Sequence, residues 1–335
     1  MKRRISLVTA LAAIATPLLT AAPALAKGGS RDGGYLDAKG VVAASGLQTP
    51  PRAIVGPPGS GLLYIAQPSD EGVNLARVDT AGGGTVTAHS NYGGFTIPTV
   101  ALDKSTSGLS ADGNTLVLAE PLAGLGAASS RFDVLKARSL RVRESVSLRG
   151  SYSFDAISPD GNLIYLIEYT NPANPSQYLV RAYDVQAGHL LRKPVIDPSE
   201  AGQPMTGKPV TRAMSPNGQW AYTLYQGSDE GPFVHALDTS GRSAKCIDLD
   251  GLNLPTNLSG SRLVVSGDGD RLTILRHGSE LGAIDTDTFA VSPPSTPSNG
   301  HGFPWVLIAI LALVAAAGAG ITSRVVRRRR RVASG

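Results

Sequence analysis

The sequence predicts an all-β body built from tandem four-stranded units. Three observations carry this expectation: a recurring Ser-x-Asp-Gly turn, a second turn marker in register with it, and the lack of helical periodicity between the two chain ends. The first appears as "ISPDGNLIYLIEY" at 157–169, "MSPNGQWAYTLY" at 214–225 and "LSADGNTLVLAE" at 109–120. Its glycines, with relatives at the first and last copies, are Gly59, Gly113, Gly161, Gly218 and Gly269, spaced 54, 48, 57 and 51 residues apart. The second marker is a short apolar stretch ending at Asp79, Asp184, Asp238 or Asp285. In the second copy Lys136 takes the Asp place. A fixed period of this length is the signature of a repeat architecture.

The unit from 151 to 207 shows how the strands are read. "SYSFDAIS" is one strand, and Pro159-Asp160-Gly161 reverses it. "NLIYLIEY" is the second, "YLVRAYDV" the third and "HLLRKPVI" the fourth. Pro, Asn, Asp and Gly supply the backbone angles of the turns. Val, Ile, Leu and Tyr suit a pleated, half-buried surface. One such sheet cannot bury both faces. Stacking several around an axis does, so the expected fold is a β-propeller. Five units are favoured, at about 49–95, 96–148, 149–205, 206–252 and 253–292, with irregular innermost strands in the second and fifth. A fragment at 34–45, "GYLDAKGVVAAS", lies outside them. It is expected to close the ring on the last blade, or to be the remnant of a sixth.

The pattern S-P-D-G-x-x-x-Y followed by x-x-x-D-x-x-x-G resembles the YVTN/WD40-like group of bacterial propellers. Asp160, Gly161, Tyr165 and Asp184 fit best, with Asn217, Gly218, Tyr222 and Asp238 close behind. The resemblance covers roughly residues 31–292. It implies the fold and leaves the activity open, since the group includes surface proteins, binding modules, lactonases and periplasmic partners of transport systems. An Ala-, Gly- and Arg-rich chain of this kind is similar to exported proteins of high-GC Gram-positive bacteria.

The two ends predict cellular placement. Residues 1–26 carry Lys2, Arg3 and Arg4, then an apolar stretch, then Ala24-Leu25-Ala26. This is the layout of a secretory signal peptide. Arg3-Arg4 also admits a twin-arginine route, which the flanking residues fit less well. The run 304–323 is uncharged and apolar. As a helix its twenty residues would rise about 30 Å, the thickness of a bilayer core. Phe303 and Trp305 sit at one edge, and Arg324 with Arg327–Arg331 follows the other. The positive-inside rule places that tail, 324–335, in the cytoplasm. The expectation is a single-pass plasma-membrane protein whose body, 31–292, is extracytoplasmic on a Pro/Ser/Gly linker, 293–302. Membrane lipid is then one partner, and another surface or membrane protein is the other class left open.

Charge separates along the same lines. The whole chain is +5, with 31 Lys+Arg and 26 Asp+Glu, but nine of the basic residues lie in the two ends and every acidic residue lies between them. The body is therefore about four charges negative, which argues against nucleic acid as a partner.

Catalytic motifs are missing from the sequence. No G-x-S-x-G elbow or P-loop occurs, and no His or Cys pair stands at metal-ligand spacing. Only a composite site assembled from different blades remains open, so no catalytic residue, metal or cofactor is assigned. Cys246 is the single cysteine. It reads as a small half-buried strand residue. The unusual local feature is an acidic turn, "PSDEG" at 68–72 and "GSDEG" at 227–231, with a weaker relative "GSELG" at 278–282. Asp70, Glu71, Asp229 and Glu230 are the candidate ligand-binding residues, rimming one mouth of the ring. Carboxylates there suit a hard cation or a basic partner, although Ser, Asp and Gly are also ordinary turn residues. The function expected is a displayed binding or interaction module. The alternatives are a lactonase-type propeller hydrolase and an accessory subunit of a membrane complex.

The topology is open to direct test. Protease added to intact cells should digest residues 27–302 and leave an epitope placed after Arg331 protected. Cleavage of that epitope from outside would overturn the orientation.

Overall fold

The computed structural model describes residues 52–122, 124–200, 205–227 and 231–295. They form five antiparallel sheets, each drawn from consecutive chain. Blade 1 holds β1 (Arg52–Val55), β2 (Leu62–Ser69), β3 (Gly72–Asp79) and β4 (Thr85–Asn91). Blade 2 holds β5 (Thr115–Ala119), β6 (Ser129–Lys136) and β7 (Arg141–Arg149). Blade 3 holds β8 (Tyr152–Ile157), β9 (Leu163–Tyr169), β10 (Tyr178–Asp184) and β11 (His189–Leu190). Blade 4 holds β12 (Lys208–Met214), β13 (Trp220–Gln226), β14 (Phe233–Asp238) and β15 (Ser243–Asp248). Blade 5 holds β16 (Ser261–Val265), β17 (Arg271–Arg276), β18 (Ser279–Asp285) and β19 (Val291–Ser292). This is the five-bladed β-propeller arrangement, and no α-helix occurs among the described residues. The fragment 34–45, the signal region and the apolar run 304–323 lie outside them.

Period-two alternation explains why the central strands read as continuous apolar runs. In β5, Leu116 and Leu118 face blade 1 and pack with Tyr64, Leu75 and Leu135. Val117, between them, faces blade 3 and packs with Phe132, Val134, Phe154 and Ile164. In β9, Ile164 and Leu166 turn to blade 2, while Tyr165 and Ile167 turn to blade 4 and meet Ala221 and Leu237. In β13, Tyr222 and Leu224 pack with Leu263, Leu272 and Ile284 of blade 5. A strand covered on both faces has no polar face to show. Among the described residues the buried core thus falls into four inter-blade parts. Val55 of blade 1 and Val264 of blade 5 lie outside these cores and stay 76% and 46% exposed.

The Ser-x-Asp-Gly turn is a hydrogen-bonded seal on the β8–β9 hairpin. Ser158 Oγ donates to Asp160 Oδ1 at 2.6 Å and accepts the Leu163 N–H at 2.9 Å. Asp160 also accepts from the Asn162 N–H and its side-chain amide. Gly161 closes the turn at φ +70°. The same bonds recur around Ser110 and Asp112, Ser215 and Asn217, and Ser266 and Asp268. The second marker works in the same way. Asp184 Oδ1 accepts the Gln186 and Ala187 N–H groups, as Asp238 and Asp285 do in their blades. The Thr after the Asp then ties the two hairpins together. Thr80, Thr239 and Thr286 donate to the carbonyls of Gly61, Gly218 and Gly269. The motif tyrosine Tyr165 reaches into the next blade and donates to the Thr239 carbonyl at 2.7 Å.

Two strand expectations change in the structure. The innermost strand of blade 5 is regular, because Ser261–Val265 pairs residue for residue with β17. The fourth strand of blade 3 shrinks to His189–Leu190 and a bridge at Val195, since Pro194 has no N–H to give the ladder. The innermost element of blade 2 is irregular as expected. It meets β5 only through Thr96–Ala119 and Leu109–Leu116, and between them a small hairpin, 99–106, buds inward. Its tip crosses to blade 4, where Leu102 N and Asp103 N donate to the Pro209 and Val210 carbonyls at 3.0 and 3.1 Å. Thr211 Oγ1 donates to Asp103 Oδ2 at 2.6 Å. Blade 5 also carries its own short fourth strand, β19.

The turn positions differ sharply in what they tolerate. A Cβ at position 161 would lie 2.2 Å from Thr115 Oγ1. Gly161→Val should cost roughly 1–3 kcal/mol from backbone strain, with the clash adding to it. Gly188 also has φ +70°, but Leu140, Arg242 and Phe289 hold the equivalent place in other blades with φ of 56–58°. Gly188→Asn should therefore cost no more than about 1 kcal/mol. Urea melts of the two variants compare them, and equal losses would count against this account.

Candidate functional site

Blades 3 and 4 meet through polar groups as well as apolar ones. The register of β8 on β9 slips between Phe154 and Ala156, leaving Asp155 as a bulged residue. A bulge re-aims a side chain out of the regular pleat. Asp155 turns to Arg212 of β12, which bonds both its carboxylate and, at 3.0 Å, its carbonyl. Both side chains are about 95% buried. A pair this dry persists only with its hydrogen bonds in place.

Around this ion pair stand three tyrosines, Tyr178 and Tyr225 buried and Tyr169 partly so. Tyr178 stacks on Tyr225 with centroids 6.3 Å apart and meets Tyr169 edge-on at the same distance. The Tyr169 hydroxyl lies 3.1 Å from Ser153 Oγ. Burial raises the pKa of all three, so they act as neutral phenols. Ser153, Asp155, Tyr169, Ser176, Tyr178 and Lys208 are among the residues lining a cavity of about 50 Å³. Ser176 lies in the β9–β10 loop and Lys208 opens β12, so the cavity faces the end that carries the second-to-third-strand loops.

Farther out along the same seam is a second cluster. His235 of β14 and Cys246 of β15 are directly paired across strands and share the face toward blade 3. Opposite them, the chain leaving β11 brings Asp197 and, through a 3-10 turn at Pro198–Glu200, Glu200. Asp197 accepts from Ser199 N and Oγ, from the Cys246 N–H at 3.0 Å and from Lys245 Nζ at 3.0 Å. Burial opposes its ionisation, but the bonds from Ser199, Cys246 and Lys245 outweigh it and lower its pKa to about 2. Burial, reinforced by the Glu200 carboxylate, pushes the Cys246 thiol up. Burial lowers His235 to about 4. A protonated thiol beside a neutral imidazole is not the thiolate–imidazolium pair of a cysteine nucleophile. Cys246 is half-buried in its strand, as expected from the sequence.

The acidic turns are placed in part. Asp70 and Glu71 form the exposed two-residue turn between β2 and β3. It is braced by Ser69 Oγ on the Gly72 carbonyl and sits against Gly93 of the connection to blade 2. That is the loop end, as expected. Asp229 and Glu230 lie outside the described residues. Their flanking glycines are so close that a Cβ on Gly227 would fall 1.7 Å from the Gly231 carbonyl oxygen. Gly207, which lines the cavity, packs against Gly227. In the weaker relative, Glu280 is a strand residue held by Arg271 at 2.8 Å and by Ser295, so it does not rim a mouth.

Neither the Asp155–Arg212 pair nor the Asp197–Glu200–His235–Cys246 cluster was foreseen. The available signal was a polar residue in an otherwise apolar strand, as in "SYSFDAIS" and "FVHALD".

No protein-family model matches the chain, and no curated protein does. Solved structures resemble it weakly. TolB from Acinetobacter baumannii matches at 13% identity and a TM-score of 0.45, over 73% of this chain and 54% of that one. The chain therefore spans about half the length of that protein. Hydrazine synthase from Kuenenia stuttgartiensis matches at 18% and 0.41, over 72% and 70%. The β-propeller domain of Cps50 (Swd1) from Myceliophteria thermophila matches at 11% and 0.40, over 77% and 68%.

Burial of His235 has a consequence for stability. Between pH about 6.5 and about 4 the unfolded imidazole takes up a proton that the folded one refuses. This contribution is complete above pH 6.5 and is lost as pH falls toward 4. Melting temperatures in chelator-treated buffer should fall across that window, and less steeply in His235→Gln. Identical slopes in the two proteins would contradict a neutral buried imidazole.

Proposed function

We propose that the protein is a membrane-anchored, extracytoplasmic β-propeller that acts as a binding module, with the loop end of blades 3 and 4 as its recognition face. The secretory leader, the apolar run 304–323 and the arginine tail support the anchoring. The observation that carries the binding reading is the tyrosine-walled cavity beside Asp155 and Arg212. Aromatic walls with a few polar groups at the rim are the usual make-up of a recognition site.

Size decides between ligand classes. A cavity for a whole small molecule has a volume of about 300–1,000 Å³. This one, at about 50 Å³, takes the tip of one side chain. The partner is therefore a macromolecule that lays a surface across the loop end and inserts a single group. The body's negative balance, together with Asp70, Glu71, Asp229 and Glu230 on the second-to-third-strand loops, favours a partner with a basic surface.

Photo-crosslinking in intact cells tests this. A photoreactive residue at Ser176 or Asp70, on the loop end, should give a discrete adduct. The same residue at Gln186 or Ser240, in the hairpins of the opposite end, should not. Adducts of equal yield from both ends, or none at Ser176, would refute the assignment.

A further inference from the structure

We propose that Asp197, Glu200 and Cys246 form a binding site for one divalent transition-metal ion of the zinc class, with the buried imidazole of His235, which lies outside that close group, moving in as the fourth ligand. The ligand atoms of Asp197, Glu200 and Cys246 lie within 4.8 Å of one another. Ligand atoms of one tetrahedral zinc ion, at 2.0–2.3 Å from it, stand about 3.3–3.8 Å apart, so the three groups would close on an ion by about 1 Å. The two carboxylates come from one 3-10 turn, where residues i and i+3 eclipse.

His235 supplies the independent observation. It is 2% exposed, and no hydrogen bond to its ring nitrogens occurs among the described residues. It lines the same small cavity as Asp197, Glu200 and Cys246, with a volume of about 20 Å³. A buried imidazole without a hydrogen bond retains a lone pair for an incoming group. As the cross-strand neighbour of Cys246, its Cβ stands about 4.5–5.5 Å from that of the cysteine.

The donor set selects the ion. Thiolate and imidazole favour zinc, cobalt or nickel, whereas calcium and magnesium prefer oxygen alone. The local charge is suitable. Asp197, Glu200 and the nearby Asp248 outnumber Lys245, whose side chain is 44% exposed and flexible and can swing to solvent. On loading, the metal–sulfur bond forms as the thiol proton passes to buffer, and no electron moves. The bound ion would pin the loop after β11 to β14 and β15, a clamp across the seam between blades 3 and 4.

The test uses the untagged full chain in detergent, stripped with chelator and titrated with cobalt(II). A cobalt–thiolate charge-transfer band should grow to saturation at one ion per chain and vanish when zinc is added. Zinc should raise the melting temperature, and calcium and magnesium should not. Cys246→Ser should abolish the band. Glu200→Gln, in a half-buried loop where folding is not at stake, should weaken zinc binding about tenfold or more. Lys245→Gln, which removes the competing ammonium, should tighten it. Absence of the band, its survival in Cys246→Ser, or a zinc response unchanged by Glu200→Gln would overturn the proposal.

Discussion

The inner ends of the blades are held by one constraint: a hairpin that needs a left-handed residue at the point where it touches another blade. Gly161 presses on Thr115, Gly218 on Ala111, Gly269 on Pro216 and Gly113 on Pro57. A side chain there would be strained by the backbone and would also push the neighbouring hairpin outward. The Ser and Asp of the motif fix the loop, and the missing Cβ lets the loops nest. The spacing of the central strands, and so the width of every inter-blade core, depends on that nesting.

The seam between blades 3 and 4 shows what this rigid frame permits. Elsewhere the inter-blade space is filled mostly by Leu, Ile, Val, Ala and Phe, with tyrosines such as Tyr64, Tyr152, Tyr183 and Tyr222 among them. Here it also holds an ion pair, three tyrosines and an imidazole, arranged from the innermost strands toward the rim. Placing charges in a dry seam is costly unless their partners are held still. Asp155 reaches Arg212 because β8 bulges, and β15 offers Asp197 the Cys246 N–H beside the bonds it accepts from Ser199 and Lys245. The polar groups that could do chemistry or recognition are thus positioned by backbone features of two separate blades.

This division explains what could be read from the chain alone. Turn glycines, their Asp partners and the apolar runs are local, and they located all five blades and most strand limits, including the irregular inner segment of blade 2. The end of the propeller that carries Asp70 and Glu71 was legible for the same reason. The weaker relative at 278–282 was less legible, because an acidic residue near a glycine looks alike in a turn and in a strand until the Arg271 partner of Glu280 is seen. Asp155–Arg212 and Asp197–Cys246 were invisible because their members lie 57 and 49 residues apart, with no spacing rule to connect them.

The inward hairpin of blade 2 bears on the order of folding. Blade sheets are assembled from neighbouring stretches of chain, and such local contacts close quickly. Asp103 is different: its partner Thr211 is 108 residues away. The hub contact of Ala111 with Gly218 has a similar span. Loop closure over that distance must come before either contact can stabilise anything. Blades 1 to 3 can therefore form as sheets while the centre stays unlocked. Only when β12 arrives does blade 2 acquire its last backbone partners, so the fourth blade acts as the latch that turns a row of sheets into a cooperative unit.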